Sequence, residues 1–287
     1  MNNSVFIEIP PEFSFKATVS SHGWSELAPF VLDVENWRLS YVFQAGKRTV
    51  PAVIFETDGV LRVDLANSMI DEAQIIKDTR HILRLDDDLS GFYRVIEGHE
   101  RLHWAAHRRA GRLLRSPTVW EDLIKTICTT NCSWGLTKAM VANLVDKLGA
   151  HGKAFPTPEA MASVNEKFYR NEIKAGYRSP YFVELAEKVA SGALDPQAWL
   201  VSDLPTAELK KEMKKVKGVG DYAAENLLKL VGRYDGLALD SFLRSEFYKL
   251  HNKAKVCSDK KIERHYKKFG PWRGLVIWCE MTERWIN

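Results

Sequence analysis

The feature that most constrains the fold is a change in hydrophobic periodicity near Asp71. Before it, apolar and polar residues alternate in short segments that are rich in β-branched and aromatic side chains, namely FSFKATV, WRLSYVFQ, TVPAVIFE and GVLRVDLA. Turn-forming residues separate them at 22–24, 45–47 and 57–59. After it, apolar residues recur every three or four positions, as they do in amphipathic helices. We therefore predict an α+β fold, mostly α, with an N-terminal antiparallel β-sheet region.

The helical part has recognisable starts and ends. Ser, Asp and Pro precede or begin several segments, and Gly149 follows one of them, as expected for helix caps. The predicted helices lie within 71–85, 85–96, 118–131, 133–149, 156–164, 179–192 and 204–216. No repeat of solenoid period is found.

Composition narrows the class of protein. The chain of 287 residues is 45% hydrophobic and 27% charged, which is typical of a globular protein. No apolar run approaches the roughly 18 residues of a membrane span, and the N-terminus lacks the basic end and apolar stretch of a secretory signal. We therefore expect an intracellular protein that does not contact membranes. Four scattered cysteines do not form a disulfide framework.

Charge is distributed unevenly along the chain. Residues 1–98 hold 9 Lys/Arg and 15 Asp/Glu, a net charge of −6, whereas residues 99–287 carry +10. A basic C-terminal two-thirds is consistent with a polyanionic partner for that part. Many globular proteins have a basic half without binding nucleic acid, so charge alone does not establish that this chain binds a polyanion.

Residues 216–220, VKGVG, lie between two helix-forming segments. Two glycines one residue apart permit a tight turn and let backbone N–H groups approach an anion, with the N-terminus of the second helix behind them. Lysines on the first helix and the turn supply positive charge, and they are Lys210, Lys211, Lys214, Lys215 and Lys217. The segment is consistent with a phosphate-binding hairpin, and equally with a plain turn between helices that carries a solvated lysine face.

Asp240 stands at the predicted start of a later helix, in LALDSFLR. A carboxylate there can accept helix N–H groups and stay ionised, which suits a reaction through an oxocarbenium-like sugar. A simple N-cap is the more frequent explanation for an isolated Asp in this position.

Four motifs in order resemble the HhH-GPD superfamily of DNA glycosylases. Residues 209–244 resemble its helix-hairpin-helix and Gly/Pro-Asp loop, and residues 127–149 resemble the helix pair of 8-oxoguanine DNA glycosylases that presents an Asn to the orphaned base. AGYRSPYF (175–182) resembles the loop that inserts Tyr and Arg into the vacated position. FGPWRGLVIWCEM (269–281) resembles the C-terminal helix start shared with bacterial 3-methyladenine DNA glycosylase II.

The resemblance assigns roles to residues of this chain. Asp240 would stabilise the sugar cation and activate water. Lys217, Gly218, Val219 and Gly220 would bind a DNA phosphate, and Asn131, Tyr177 and Arg178 would fill the gap and contact the opposite base. The carbonyls of Lys214, Val216 and Val219 would hold a structural Na⁺ or K⁺; no other cofactor is implied.

Two positions depart from the family pattern. Tyr222 stands where bifunctional members have the lysine that forms a Schiff base, and a phenol cannot form an imine, so we expect a monofunctional enzyme that uses water. Lys217 or Lys229 could substitute, but the sequence singles out neither. Ile277 aligns with the Gln that contacts 8-oxoguanine, which argues against that substrate. We expect Tyr222, Trp272, Ile277 and Met281 to line a partly aromatic base pocket; Trp278 is interpreted as core.

Three other groups of residues are interpreted as structural. Cys128 and Cys132 are one helical turn apart and lack further ligands nearby, so we expect small buried side chains rather than a metal pair. The histidines at 99, 103 and 107 are interpreted as part of a basic helix, and the three aspartates at 86–88 as an acidic helix cap.

We predict a base-excision-repair DNA glycosylase that flips an alkylated purine out of duplex DNA and hydrolyses its N-glycosidic bond, acting as a monomer. The alternatives are a bifunctional 8-oxoguanine-type glycosylase/lyase and a catalytically silent damaged-DNA-binding protein. We expect a β-sheet-containing region at 1–98 and an α-helical body at 99–287, with a helical subdomain at 117–205 and the hairpin and catalytic loop at 206–250. The compartment would be the cytoplasm or nucleoid of a bacterium, or a eukaryotic nucleus.

Overall fold

The computed structural model describes residues 3–67 and 70–285. Its strands are β1 (Asn3–Glu8), β2 (Val31–Asp33), β3 (Arg38–Ala45), β4 (Arg48–Thr57) and β5 (Val60–Leu65). Its α-helices are α1 (Phe15–Val19), α2 (Glu72–Leu83), α3 (Ser90–Ile96), α4 (His103–His107), α5 (Val119–Thr129), α6 (Trp134–Leu148), α7 (Pro158–Ala162), α8 (Glu166–Asn171), α9 (Ser179–Ala190), α10 (Thr206–Met213), α11 (Asp221–Leu230), α12 (Ser241–His251), α13 (Asp259–Tyr266) and α14 (Arg273–Thr282). The predicted class, α+β and mostly α with an N-terminal antiparallel sheet, is confirmed.

The five strands form one antiparallel sheet in the order β1-β5-β4-β3-β2. Alternate residues of each long strand are buried, for example Leu39, Tyr41 and Phe43 of β3, because one face of the sheet packs on the helices while the other faces solvent. The turns predicted at 45–47 and 57–59 join β3 to β4 and β4 to β5. The Tyr41 hydroxyl donates to Glu121 of α5 at 2.7 Å, which ties this face to the helical part.

The strand predicted over 13–19 is wrong, since residues 15–19 form α1. Ser14 caps this helix by accepting the Ala17 N–H at 3.2 Å, and Thr18 also donates to the Ser14 carbonyl. Phe15, Ala17 and Val19 are buried as a strand pattern would have them, but Thr18 is buried too. Burial from more than one side removes the constraint that makes alternation specific to a strand. The sequence also gave no indication of β1, which buries only Val5 and Ile7.

The predicted helices at 71–85, 118–131, 133–149 and 179–192 are confirmed as α2, α5, α6 and α9, and the shorter ones within 85–96, 156–164 and 204–216 as α3, α7 and α10. Buried apolar residues form two clusters. One joins the sheet to α2, α5, α6, α9 and α11, and the other joins α3, α4, α12, α13 and α14. The proposed boundary at residue 98 stays a prediction. Within the described ranges, no helix is both long enough and apolar enough to cross a membrane.

Candidate functional site

A cleft with a volume of 1730 Å³ is lined by residues that pack against both clusters. The segment between α10 and α11, the N-terminus of α11, the loop after α5 and Asp240 all contribute to its wall. Elements from residues 20 to 285 thus meet at one cavity. The predicted hairpin and the predicted carboxylate both line this cleft, and α11 with the loop after it connects them.

The two hairpin glycines have different structural roles. Gly218 has φ +89°, a conformation that side chains rarely adopt, and a Cβ there would lie 2.9 Å from the ring of Tyr181. Gly220 is the N-cap of α11 with φ −85°, and a Cβ there would meet nothing within 4 Å. Only Gly218 is therefore required by the fold. Val219, between them, is buried and packs in the core.

The lysines around the hairpin are paired with carboxylates on neighbouring turns. Lys217 lies 2.5 Å from Glu184 of α9, and Lys214 lies 2.9 Å from Asp221 of α11. The remaining pairs are Lys210 with Glu225, Lys211 with Glu208 and Lys215 with Glu212. The exposed pairs contribute about 1 kcal/mol or less each, whereas Lys210 and Glu225 are only 25% and 21% exposed. The exposed ammonium groups can therefore exchange their carboxylates for another anion.

Asp240 is the N-cap of α12 and accepts the Leu243 N–H at 2.7 Å. Its loop is held from two sides, since Glu225 of α11 accepts the Ala238 N–H and Gly274 of α14 donates to the Tyr234 carbonyl at 2.7 Å. Asp240 is half-buried and lines the cleft. The geometry is that of a helix cap whose carboxylate also faces a cavity.

Tyr222 lies near Asp240 on the first turn of α11. Burial raises the pKa of the Tyr222 hydroxyl, and the negative charge of Asp240 raises it further. The side chain is consequently a neutral phenol that contributes an aromatic wall beside the carboxylate. It lines the cleft as the sequence predicts for a pocket residue.

Asn131 and Tyr177 come together at the mouth of the cleft. Asn131 has φ +47° in the loop after α5, and its side-chain amide donates to the Tyr177 hydroxyl at 3.4 Å. Tyr177 is 46% exposed. Its ring is therefore available to a ligand, whereas its hydroxyl is positioned by the loop.

Arg178 lies on the inner side of the same turn and does not line the cleft. It is 3% exposed and donates to the carbonyls of Ile127, at 3.1 Å, and of Thr130. These carbonyls end α5 and need donors that the helix itself cannot provide. The guanidinium lies 4.5 Å from the ring of Tyr177. Arg178 thus positions Tyr177, and its buried guanidinium donates to the end of α5. The contact with the opposite base expected for Arg178 stays a prediction.

Of the four predicted pocket residues, Ile277 and Met281 lie in the second apolar cluster and Trp272 is partly buried against it. Ile277 and Met281 are 0% and 3% exposed on the inner face of α14, and Trp272 stacks on Tyr234 with ring centroids 5.5 Å apart. None of the three lines the cleft. Trp278, interpreted as core, does line it and donates its indole N–H to the Ser21 carbonyl at 2.9 Å. The two faces of α14 are both largely apolar, so periodicity does not distinguish pocket from core.

Sequence reasoning missed the aromatic residues that the N-terminal region contributes. His22 and Trp24 line the cleft, with ring centroids 4.8 Å apart. Trp24 is fixed by donating to Asp122 of α5 at 2.7 Å, and the His22 ring lies 6.4 Å from that of Trp278. Burial lowers the pKa of His22 to about 4, so the ring is neutral at physiological pH. We call the three rings of His22, Trp24 and Trp278 the aromatic box.

Lys229 completes this end of the cleft. It lies on α11, two turns after Tyr222, and is 2% exposed. Its ammonium donates to the Leu237 carbonyl at 3.1 Å and lies 5.6 Å from the centre of the Trp278 ring. From the sequence, Lys229 is only one of the lysines that could replace the missing Schiff-base lysine. Nothing in the neighbouring residues distinguishes it from a solvated lysine.

Two groups of residues have donor atoms that could hold a metal ion: the backbone carbonyls of the hairpin, as predicted, and a cluster of two histidines and a glutamate. Lys214, Val216 and Val219 all line the cleft, and the Val216 carbonyl accepts the Val219 N–H at 3.0 Å, which leaves a lone pair for a cation. Within the described ranges, His251, His265 and Glu280 bring their donor atoms within 4.8 Å of one another. The His251 ring nitrogen lies 3.1 Å from the Glu280 carboxylate, so these two groups already contact each other directly.

Two cysteines and an aspartate that we interpret as structural are buried or form hydrogen bonds within the protein. Cys128 is buried, which raises the pKa of its thiol to about 12, and Cys132 donates to the Cys128 carbonyl. Asp88 accepts the Ser90 N–H at 2.8 Å at the start of α3.

The sequence matches no protein-family model, and no curated protein is significantly similar to it. Solved structures are similar in fold over almost the whole chain. MBOgg1 in complex with a low-affinity DNA ligand has a TM-score of 0.77 at 20% identity, covering 99% of this chain and 97% of that one. The 3-methyladenine DNA glycosylase of Archaeoglobus fulgidus has 0.76 at 19%, with 98% of both chains covered. The 8-oxoguanine glycosylase/lyase of Clostridium acetobutylicum, in complex with double-stranded DNA containing cytosine opposite 8-oxoguanine, has 0.75 at 20%, covering 99% and 96%. The chain therefore has the helix-hairpin-helix DNA glycosylase fold from its N-terminal sheet to its C-terminal helix.

Proposed function

We propose that this protein is a base-excision-repair DNA glycosylase. The observation that carries the proposal is that one cleft brings together a half-buried helix-capping carboxylate, Asp240, a glycine hairpin at a helix N-terminus and an exposed tyrosine, Tyr177. The similarity in fold to solved DNA glycosylases supports it independently.

The proposed mechanism assigns one step to each part of the cleft. Gly218 and Gly220 let the N-terminus of α11 approach a DNA phosphate, and a Na⁺ or K⁺ on the nearby carbonyls would add positive charge there. Tyr177 fills the space that the extruded base leaves in the stack. The base enters the aromatic box, and Asp240 stabilises the cationic sugar while it orients the attacking water.

Hydrolysis rather than strand cleavage is the proposed outcome. Tyr222 occupies the position next to Asp240 and cannot form an imine. One observation favours the bifunctional alternative, namely that Lys229 brings a primary amine into the same cleft. Its 2% exposure and its hydrogen bond to the Leu237 carbonyl argue against its use as a free nucleophile. Borohydride trapping separates the two, since a covalent protein–DNA adduct would support the lyase.

The favoured substrate class is an alkylated purine, because His22, Trp24, Tyr222 and Trp278 give the cleft an aromatic wall. All residues of the proposed site come from one chain, so a monomer acting on duplex DNA suffices. Such an enzyme would work where genomic DNA lies, in a bacterial nucleoid or a eukaryotic nucleus.

The test is single-turnover base release from duplexes that carry alkylated, deaminated and oxidised bases, with Asp240→Asn alongside. Asn also caps helices, so the variant should fold while base release falls at least ~100-fold and binding to an abasic-site duplex persists. Asp195→Asn is the matched control, because Asp195 caps a 3₁₀ turn outside the cleft by accepting the Gln197 N–H at 2.9 Å. Tight lesion binding without release from any duplex would support the silent damage-binding protein instead.

A further inference from the structure

Among the residues that the structure describes, no carboxylate forms an ion pair with the buried ammonium of Lys229. Two carboxylates act on it electrostatically, but each bonds elsewhere: Glu225 pairs with Lys210 at 2.6 Å, and Asp240 accepts the Leu243 N–H. Its one hydrogen bond goes to the Leu237 carbonyl. Burying a charge in this way is costly unless something compensates for it.

The same chain contains a buried lysine that is compensated. Lys125 is 0% exposed, and its ammonium lies 2.6 Å from the Glu121 carboxylate, which also accepts from Tyr41. Lys125 thus shows the arrangement expected for a structural lysine in a core, namely a buried ammonium paired with a buried carboxylate. Lys229 departs from it, and it lines the cleft whereas Lys125 does not.

The surroundings of Lys229 are suited to a planar ring. The ammonium lies 5.6 Å from the centre of the Trp278 ring, and Trp278 in turn faces His22. An ammonium has three donors, of which one is used, so two can reach an acceptor in the aromatic box. A flipped base that stacks on Trp278 would present its edge to them.

We propose that Lys229 is a specificity-determining residue, which donates to an oxygen or nitrogen acceptor of the flipped base and so selects neutral lesion bases over cationic N-alkylated purines. This inference rests on the proposed glycosylase function. It narrows the alkylated class to neutral adducts such as 1,N⁶-ethenoadenine, and it admits hypoxanthine and 8-oxoguanine. A cationic 7-methylguanine or 3-methyladenine in the aromatic box would be repelled by the ammonium.

The charge state of Lys229 gives the proposal a pH dependence. Burial lowers the pKa of Lys229 to about 8, while Glu225, Asp240 and Cys279 oppose the decrease. The neighbouring His22 is neutral, since its own pKa is lowered to about 4. Lys229 is therefore a charged donor at pH 7 and loses its proton above about pH 8. Release of neutral lesions should fall across that range, and the disadvantage of cationic lesions should shrink.

The experiment compares single-turnover release of hypoxanthine, 1,N⁶-ethenoadenine and 7-methylguanine, each divided by its spontaneous rate because cationic bases leave readily without an enzyme. The wild-type protein should enhance release of at least one neutral base ~10-fold or more beyond that of 7-methylguanine. Lys229→Met, similar in size but uncharged, should lose that preference. Lys138→Met is the matched control, because Lys138 also lines the cleft but is 46% exposed and pairs with Glu26.

Each outcome decides for or against the proposal. A preference that is lost in Lys229→Met and kept in Lys138→Met supports it, provided that Lys229→Met still binds an abasic-site duplex. Equal slowing of both classes by Lys229→Met, or a wild-type preference for 7-methylguanine, overturns it while leaving the glycosylase function intact. If Lys229→Met does not fold, the wild-type preference and its decrease above about pH 8 decide. No release from any duplex overturns the proposed function and this inference together.

Discussion

Gly274 fixes the position of the loop that carries Asp240. It donates to the Tyr234 carbonyl at 2.7 Å, and a Cβ at this position would lie 1.9 Å from the Gly236 carbonyl oxygen. Backbone therefore packs directly on backbone where α14 begins. The catalytic geometry proposed for Asp240 depends on this close approach, although Gly274 itself does not line the cleft.

We expect Gly274→Ala to lower the free energy of unfolding by about 1–3 kcal/mol and to slow base release, because the loop must move away from α14. Urea unfolding and single-turnover release measure the two effects. Gly135→Ala is the control, since a Cβ at Gly135 of α6 meets nothing within 4 Å and helix propensity favours Ala by up to about 1 kcal/mol. Equal effects of the two substitutions would mean that the loop tolerates displacement.

Some residues of the candidate site could be predicted from the sequence and others could not. The difference depends on how far along the chain the residues that hold each side chain in place lie from it. Gly218, Gly220 and Asp240 are recognisable because the hairpin and the cap are local structures. The aromatic box is not local, because Trp24 is fixed by a residue 98 positions away. Arg178 was expected to contact DNA, and nothing local indicates that the end of α5 binds its guanidinium.

At the level of elements, two arginines hold the C-terminus of α11 and hence the enclosed end of the cleft. Arg84 is 1% exposed and donates to the carbonyls of Lys229 and Leu230 at 3.0 Å. Arg115 donates to Leu230 at 3.1 Å. Positive charge at a helix C-terminus is favourable and satisfies carbonyls that the helix leaves free.

Replacing Arg84 by Met should destabilise the protein by about 3–5 kcal/mol, because Asp87 loses its buried partner and the carbonyls of Lys229 and Leu230 each lose one of their donors. Arg80→Met is the matched control. Arg80, in the last turn of α2, also pairs with an aspartate, Asp86, but the two side chains are 33% and 65% exposed, so the expected cost is below about 1 kcal/mol. Chemical unfolding of both variants tests this, and similar costs would contradict the capping role of Arg84.

Strands and helices could be predicted from the sequence where a single hydrophobic period dominates the segment. β3, β4 and β5 alternate cleanly because each buries one face, and α2 and α5 begin at Asp71 and Thr118, which cap them through their side chains. α1 was mistaken for a strand because its short sequence satisfies both periods, and its burial on several sides is decided by the rest of the molecule.

For the molecule as a whole, buried polar groups connect the N-terminal sheet to the helices and the cleft. Tyr41 of β3 donates to Glu121, and Asp122 on the next position of α5 accepts from Trp24 and from the Ser116 N–H at 2.9 Å. One turn of α5 therefore holds both the sheet and a wall of the aromatic box. The acidic N-terminal region thus contributes directly to the site that we propose for the base.

These buried groups predict how stability depends on pH. Burial lowers the pKa of His22 to about 4 and that of His81 to about 3, so below pH 6.5 the unfolded chain binds protons that the folded chain does not, and stability is lost. Burial raises the pKa of Asp122 to about 6, which opposes that loss because the folded chain then binds the extra proton.

We expect a net decrease of about 2–3 kcal/mol in the free energy of unfolding from pH 7 to pH 5. Asp122→Asn should make the decrease larger, to about 4 kcal/mol, since it removes the opposing contribution of Asp122. Urea unfolding at both pH values measures this, and a smaller pH dependence in the variant than in the wild type would contradict the assignment.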